Sequence, residues 1–197
     1  MGSNTVAIDS HAASTLRYIR ASMEAANTLT VPGAAGVLMG MTGIAATLLS
    51  LSPSLRPHWL DVWLAAALVA AGAGGTVMAR QAARQGFTFF GAPVRKLVLC
   101  LAPALFAGAV LTLVHWRSGA TQVIPGTWLL LYGCALVAAS APTTRAVGVL
   151  GGLFAALGVI AFLLPQWLQL LALGAGFGGL HLGFGILVGL GAHGRTL

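Results

Sequence analysis

The polar and apolar positions of this chain alternate on a long scale, in six apolar runs separated by short stretches that contain proline, serine and basic residues. An apolar run of roughly 20 residues matches a hydrocarbon core about 30 Å thick. The sequence therefore predicts an all-α polytopic membrane protein with six transmembrane helices. The predicted spans are about 33–51, 59–79, 97–116, 124–141, 146–164 and 168–190.

Ahead of the first span, residues 8–27 have the pattern of an amphipathic helix, because apolar residues recur every three or four positions with charged residues opposite them. We expect an interfacial helix that lies in the membrane surface, and packing against the cytoplasmic loops of the bundle fits the pattern equally well. The chain thus divides into a cytoplasmic amphipathic region, 1–30, and a six-helix transmembrane domain, 31–197.

The last apolar run is unusually rich in glycine. On an ideal helix, four of its glycines share a face with His181 and three lie on the opposite face. The first set is Gly174, Gly178, Gly185 and Gly189, and the second is Gly176, Gly179 and Gly183. Small residues let membrane helices approach closely. The pattern predicts helix packing on both faces and a central position for the sixth span.

Two pairs of segments resemble each other. Residues 124–133 echo residues 31–40, and residues 97–111 echo residues 168–182. They predict a three-plus-three duplication, and an odd number of spans in each half would make it an inverted repeat of the kind found in secondary transporters. Chance matches between segments so rich in leucine, alanine and glycine are the alternative.

Composition agrees with a membrane protein, since 58% of the 197 residues are hydrophobic and 7% are charged. The net charge of +7 is explained by topology if the chain starts inside the cell, because eight of the ten basic residues then lie in cytoplasmic segments. Those eight are Arg17, Arg20, Arg80, Arg84, Arg95, Lys96, Arg145 and Arg195. We expect both termini in the cytoplasm, a polar loop around residues 80–96, and no nucleic-acid partner.

The sequence offers little catalytic chemistry. Its three carboxylates are Asp9, Glu24 and Asp61, and its two cysteines, Cys100 and Cys134, lie in different apolar runs. Paired carboxylates for acid–base catalysis, a phosphate loop and zinc-ligand spacings are all missing from the sequence. We therefore expect a non-enzymatic protein without a cofactor.

His181 lies about halfway along the sixth span, where an ionisable side chain suggests a function. One interpretation is structural: a neutral imidazole that hydrogen-bonds a backbone carbonyl, a hydroxyl or Tyr132. The alternatives are a ligand or proton-relay site formed by His181 with Tyr132, and haem ligation. Pro103 interrupts the third span and predicts a kink, so a transported substrate would be held near this kink, His181 and Tyr132.

A second group of polar residues lies at the outer ends of two spans. His58 and Asp61 begin the second span, and His115 ends the third, so the three side chains could form a metal site. The alternative is that they cap helices within an aromatic belt. That belt would comprise Trp59, Trp63 and Trp116.

Three stretches, LRYIRASME at 16–24, PGTWLLLYG at 125–133 and GFGGLHLGFG at 176–185, resemble a family of small six-span bacterial inner-membrane proteins without a known activity. The resemblance implies a multi-pass protein of the bacterial inner membrane, and proximity of the family's genes to those of winged-helix regulators implies a stress- or ligand-linked role. It supplies no catalytic residue.

Three functions follow as hypotheses. The first is a non-enzymatic accessory subunit, or a bundle that senses a lipid or small ligand, with the bilayer, other membrane subunits or a second copy as partners. The second is a small secondary transporter or channel with its site near His181. The third is a haem- or redox-linked membrane subunit.

Overall fold

The computed structural model describes residues 29–87 and 91–193, together with Thr15, Leu16 and Ile19. The predicted amphipathic helix at 8–27 lies outside the described residues, apart from those three positions. Arg17, Arg20 and Arg195 also lie outside them.

Throughout the described ranges the secondary structure is helical, without a strand. The helices are α1 (Gly33–Leu51), α2 (Trp59–Arg84), α3 (Ala92–Arg117), α4 (Ile124–Ala139), α5 (Arg145–Leu163), α6 (Gln166–Leu173) and α7 (His181–His193). A π-helical segment, Gly174–Leu180, joins α6 to α7, and the three together form the sixth span. Short 3-10 turns, Arg56–His58 and Thr121–Val123, precede α2 and α4.

Six helical segments among the described residues are long and apolar enough to cross a membrane, which confirms the all-α polytopic fold. Helices α2 and α3 are longer than predicted, because α2 continues to Arg84 and α3 begins at Ala92. The predicted polar loop around 80–96 is therefore wrong, since its basic residues belong to helix ends. Alanine, glutamine and arginine are good helix formers, and Pro93 suits the first turn of α3.

The helices form two groups that meet at the sixth span. In one group α1 packs against α2, and in the other α4 packs against both α3 and α5. The sixth span lies between the groups: α6 contacts α1, α4 and α5, whereas α7 packs chiefly against α1. The sixth span is thus central along its first half and peripheral along its second, where Leu187 and Leu190 are exposed.

Glycine brings the helix backbones together at two interfaces. Between α1 and α7, a Cβ placed on Gly36 would lie 2.9 Å from Gly185 Cα. Between α4 and α5, a Cβ placed on Gly151 would lie 2.6 Å from Val137 N. These distances leave no room for a side chain, so van der Waals contact between backbones holds both interfaces together.

Neighbouring helices correspond in the two halves of the chain, since α1 contacts α2 and the sixth span while α4 contacts α5 and α3. The matched glycines, however, serve different interfaces. Gly40 faces the sixth span at Leu182, whereas its match in the fourth span, Gly133, faces α5 at Gly151. The inverted three-plus-three repeat stays a prediction.

Candidate functional site

The backbone leaves α-helical geometry just before His181. Residues Gly174–Leu180 form a π-helix in which four of the seven residues are glycine. At its end, the N–H of His181 donates to the carbonyl of Gly178, three residues back. Glycine makes a non-standard backbone accessible, and single π-helical turns often mark functional sites. The sequence prediction assumed an ideal α-helix here and missed this change.

Both ring nitrogens of His181 have partners inside the protein. Nδ1 lies 3.2 Å from the carbonyl oxygen of Phe177, and Nε2 lies 2.9 Å from the hydroxyl oxygen of Tyr132. A carbonyl can only accept a hydrogen bond, so Nδ1 carries the hydrogen and donates to Phe177. Nε2 of the neutral ring is then the acceptor, and the Tyr132 hydroxyl donates to it.

The imidazole is enclosed by aromatic rings. Its centroid lies 5.1 Å from that of Phe154, 5.4 Å from that of Tyr132 and 6.1 Å from that of Phe177, and His181 is 3% exposed. Phe177 in turn packs against Trp63, with their ring centroids 6.0 Å apart. The cluster therefore joins α2, α4, α5 and the sixth span, which is the junction of the two helix groups.

Sequence reasoning did not identify three members of this aromatic cluster. Phe177 could have been found, because it precedes His181 by four residues and so shares its helical face. Phe154 lies on α5 without any nearby polar signal. Trp63 was predicted to anchor the membrane interface, and that prediction is wrong: its side chain is 3% exposed and packs inside the bundle, whereas Trp116 is 59% exposed.

The glycines of the sixth span divide differently from the prediction. A Cβ on Gly174 would lie 2.5 Å from Thr47 Oγ1, and a Cβ on Gly178 or Gly185 would also meet α1. On the opposite face only Gly176 is packed, against Leu129 and Phe154. A Cβ on any of the remaining three predicted glycines would meet no atom within 4 Å. These are Gly179, Gly183 and Gly189.

Two closely packed faces were therefore predicted and one is found, with a single packed glycine opposite it. The physical reason is that helix packing on the second face uses the large side chains of Leu129 and Phe154, which need a gap at one glycine only. The backbone of Gly189 still lies at the α1 interface, since a Cβ on Gly33 would lie 2.8 Å from Gly189 N.

Pro103 does not join the site. Helix α3 continues through it from Ala92 to Arg117, and Pro103 lies on the exposed side of α3, whereas His181 is buried. The predicted substrate position between Pro103, His181 and Tyr132 is therefore wrong, because α3 packs on α4 and not on the sixth span.

The predicted metal ligands are not brought together. His58 Nδ1 and Asp61 Oδ2 are 3.5 Å apart on exposed side chains. His115 ends α3, which packs against α4, while His58 and Asp61 begin a helix that packs against α1. Within residues 29–87 and 91–193, no three histidine, cysteine or acidic side chains are grouped as metal ligands. The metal-site prediction is therefore wrong, since the helices that carry these residues are separate.

The chemistry of the His181 and Tyr132 pair is restricted by its surroundings. A metal or haem iron would have to replace the tyrosine hydroxyl at Nε2, because Nδ1 is engaged by the backbone. The pair can join helices, and the hydrogen bond between hydroxyl and imidazole is also a path along which a proton can move. Comparisons of the chain with protein-family models, curated proteins and solved structures give no match.

Proposed function

We propose that this chain is a non-enzymatic membrane bundle that acts by binding, either as an accessory subunit of a membrane complex or as a sensor of a lipid or small ligand. One observation carries the proposal: both nitrogens of the only described histidine in the bundle interior are hydrogen-bonded within the protein. A group that is already satisfied and enclosed by rings stabilises a fold, since opening it would leave buried polar atoms without partners.

The proposal includes a location, the bacterial inner membrane with both termini in the cytoplasm. The placement of the basic residues supports it. Five described cations lie at the bundle end where α1 begins, and two lie at the other end. The five are Arg80, Arg84, Arg95, Lys96 and Arg145, and the two are Arg56 and Arg117. An excess of basic residues is typical of cytoplasmic segments. We call the end with five cations the basic face.

The experiment that tests the accessory role is affinity capture of the tagged full chain from native membranes in mild detergent, followed by quantitative mass spectrometry. The control is an unrelated six-span protein carrying the same tag at the same abundance. We expect one membrane protein to be enriched with this chain and not with the control. Repeated recovery of this chain alone would rule out the accessory-subunit role.

A second candidate function, a proton-coupled transporter, is favoured by the π-helical segment directly before an ionisable residue inside a span. In liposomes with an imposed pH gradient, this function requires proton flux that His181→Gln abolishes. The matched control is His115→Gln, a half-buried histidine near the end of α3. A proton flux no greater than that of protein-free liposomes would exclude this function.

A further inference from the structure

Four cations lie close in sequence where α2 ends and α3 begins. Arg80 and Arg84 are on the last two turns of α2, and Arg95 and Lys96 are on the first two turns of α3. All four side chains are exposed. The single carboxylate in the part of the chain that the structure describes is Asp61, at the other end of α2. The cluster is therefore not neutralised by any described acidic side chain.

Helices α2 and α3 are consecutive, yet they hardly pack against each other. Helix α2 lies along α1, and α3 lies along α4. The aromatic cluster links α2 to α4, because Phe177 touches Trp63 from α2 and Tyr132 from α4. The two helices are thus held by different neighbours, and neither covers the apolar surface of the other.

The surfaces of α2 and α3 are apolar and largely uncovered. Only 11% of the most apolar stretch of α2, and the same share of α3, is buried in the protein. Leu68 is 77% exposed and Leu99 is 63% exposed. In a membrane protein such surfaces contact acyl chains. The apolar surfaces of α2 and α3 next to the four cations therefore contact lipid hydrocarbon.

The start of α3 adds to the attraction for an anion. Helix N-termini carry a partial positive charge from unpaired backbone N–H groups, and α3 has no acidic residue in its first turn. Arg95 and Lys96 stand on that same first part of the helix. Basic residues next to membrane spans attract anionic lipid headgroups.

We propose that an anionic phospholipid binds at the basic face between α2 and α3. Its phosphate is held by the cluster of Arg80, Arg84, Arg95 and Lys96, and its acyl chains lie along the exposed apolar surfaces of the two helices. The inference rests on the proposed function and gives the lipid-sensing form of it a ligand class and a site.

The test uses the purified full chain in a neutral detergent, titrated with phosphatidylglycerol or phosphatidylcholine and followed by native mass spectrometry. The test variant is R84Q/R95Q, which leaves two cations to maintain topology. The matched control is R56Q/R117Q, which removes the same charge at the opposite end of the bundle. All four substituted side chains are exposed, and circular dichroism checks that each variant folds.

Wild type should prefer phosphatidylglycerol over phosphatidylcholine. Each neutralised cation should raise the apparent Kd for phosphatidylglycerol about fivefold. The Kd of R84Q/R95Q should therefore be on the order of 25-fold higher than that of wild type. The control should stay close to wild type. If R84Q/R95Q fails to fold, a second variant, R80Q/K96Q, should show the same loss of affinity for phosphatidylglycerol.

Three results would overturn the inference: an equal loss in R56Q/R117Q, equal binding of the two lipids, or displacement of phosphatidylglycerol by inorganic phosphate. The last would mean that the cluster binds the headgroup charge alone. Failure here leaves the proposed function standing if the capture experiment still enriches a membrane protein, and a negative capture experiment does not affect lipid binding by the purified chain.

Discussion

The hydroxyl of Tyr132 on α4 donates to Nε2 of His181 in the sixth span, across 2.9 Å. This hydrogen bond links the group of α3, α4 and α5 to the sixth span, and aromatic rings surround it. It also fixes the orientation of the imidazole. Nε2 faces α4, because Nδ1 is held by the carbonyl of Phe177. The pair is therefore a joint between helices.

Replacing Tyr132 with phenylalanine should destabilise the bundle by about 1 kcal/mol, because the change keeps the ring and leaves Nε2 without a donor. Reversible unfolding in mixed micelles measures the loss. The control is Thr42→Val, which removes a hydroxyl that bonds only to its own helix at Leu38 and faces outward. Equal stabilities of the two variants would contradict a structural role for the pair.

The tautomer of His181 is a second prediction. Because Nδ1 faces a carbonyl oxygen, it should carry the hydrogen at neutral pH, and Nε2 should be unprotonated. Nitrogen-15 NMR of histidine-labelled protein distinguishes the two ring nitrogens. In Tyr132→Phe the Nε2 signal should move further than the Nδ1 signal, since only Nε2 loses its partner. A hydrogen on Nε2 in the wild type would refute the assignment.

Two adjacent glycines on α5 give a third prediction. A Cβ on Gly151 would lie 2.6 Å from the backbone nitrogen of Val137 and 2.7 Å from the carbonyl oxygen of Gly133, whereas a Cβ on Gly152 would meet nothing within 4 Å. Gly151→Ala should therefore cost about 1–3 kcal/mol by overpacking. Gly152→Ala should leave the unfolding free energy nearly unchanged or slightly raised. Thermal unfolding in detergent compares them, and similar losses would contradict the α4–α5 interface.

The fold was predictable because lipid imposes a simple rule on sequence: each span must be apolar over the thickness of the bilayer. Span bounds followed from proline and polar residues, and α1 begins and ends where they place it, at Gly33 and Leu51. The ends of α2 and α3 were missed because arginine and lysine tolerate both helix and headgroup surroundings. Hydropathy therefore underestimates helices that continue past the apolar core.

The site was predictable only in part. His181 and Tyr132 stand out because polar side chains are rare in apolar spans. Phe154 and Trp63 do not, since aromatic residues are common in membrane helices and their contacts depend on how the helices are arranged. The π-helix was also hidden, because its glycines predict close packing equally well.

The sixth span provides the last prediction, again with two nearby glycines. A Cβ on Gly185 would lie 2.5 Å from the backbone nitrogen of Val37 and 2.7 Å from the carbonyl oxygen of Gly33, so neither neighbour can turn away as a side chain would. A Cβ on Gly183 would meet no atom within 4 Å.

Gly185→Ala should therefore separate α1 from α7 and cost about 1–3 kcal/mol, whereas Gly183→Ala should match wild type or exceed it slightly. Unfolding in mixed micelles measures both variants. The separation should also be local, because α7 packs chiefly on α1 while the aromatic cluster is held by α4 and α5. The His181 NMR signals of Gly185→Ala should thus stay close to those of wild type. A large change in them would mean that the α1 interface and the cluster are coupled.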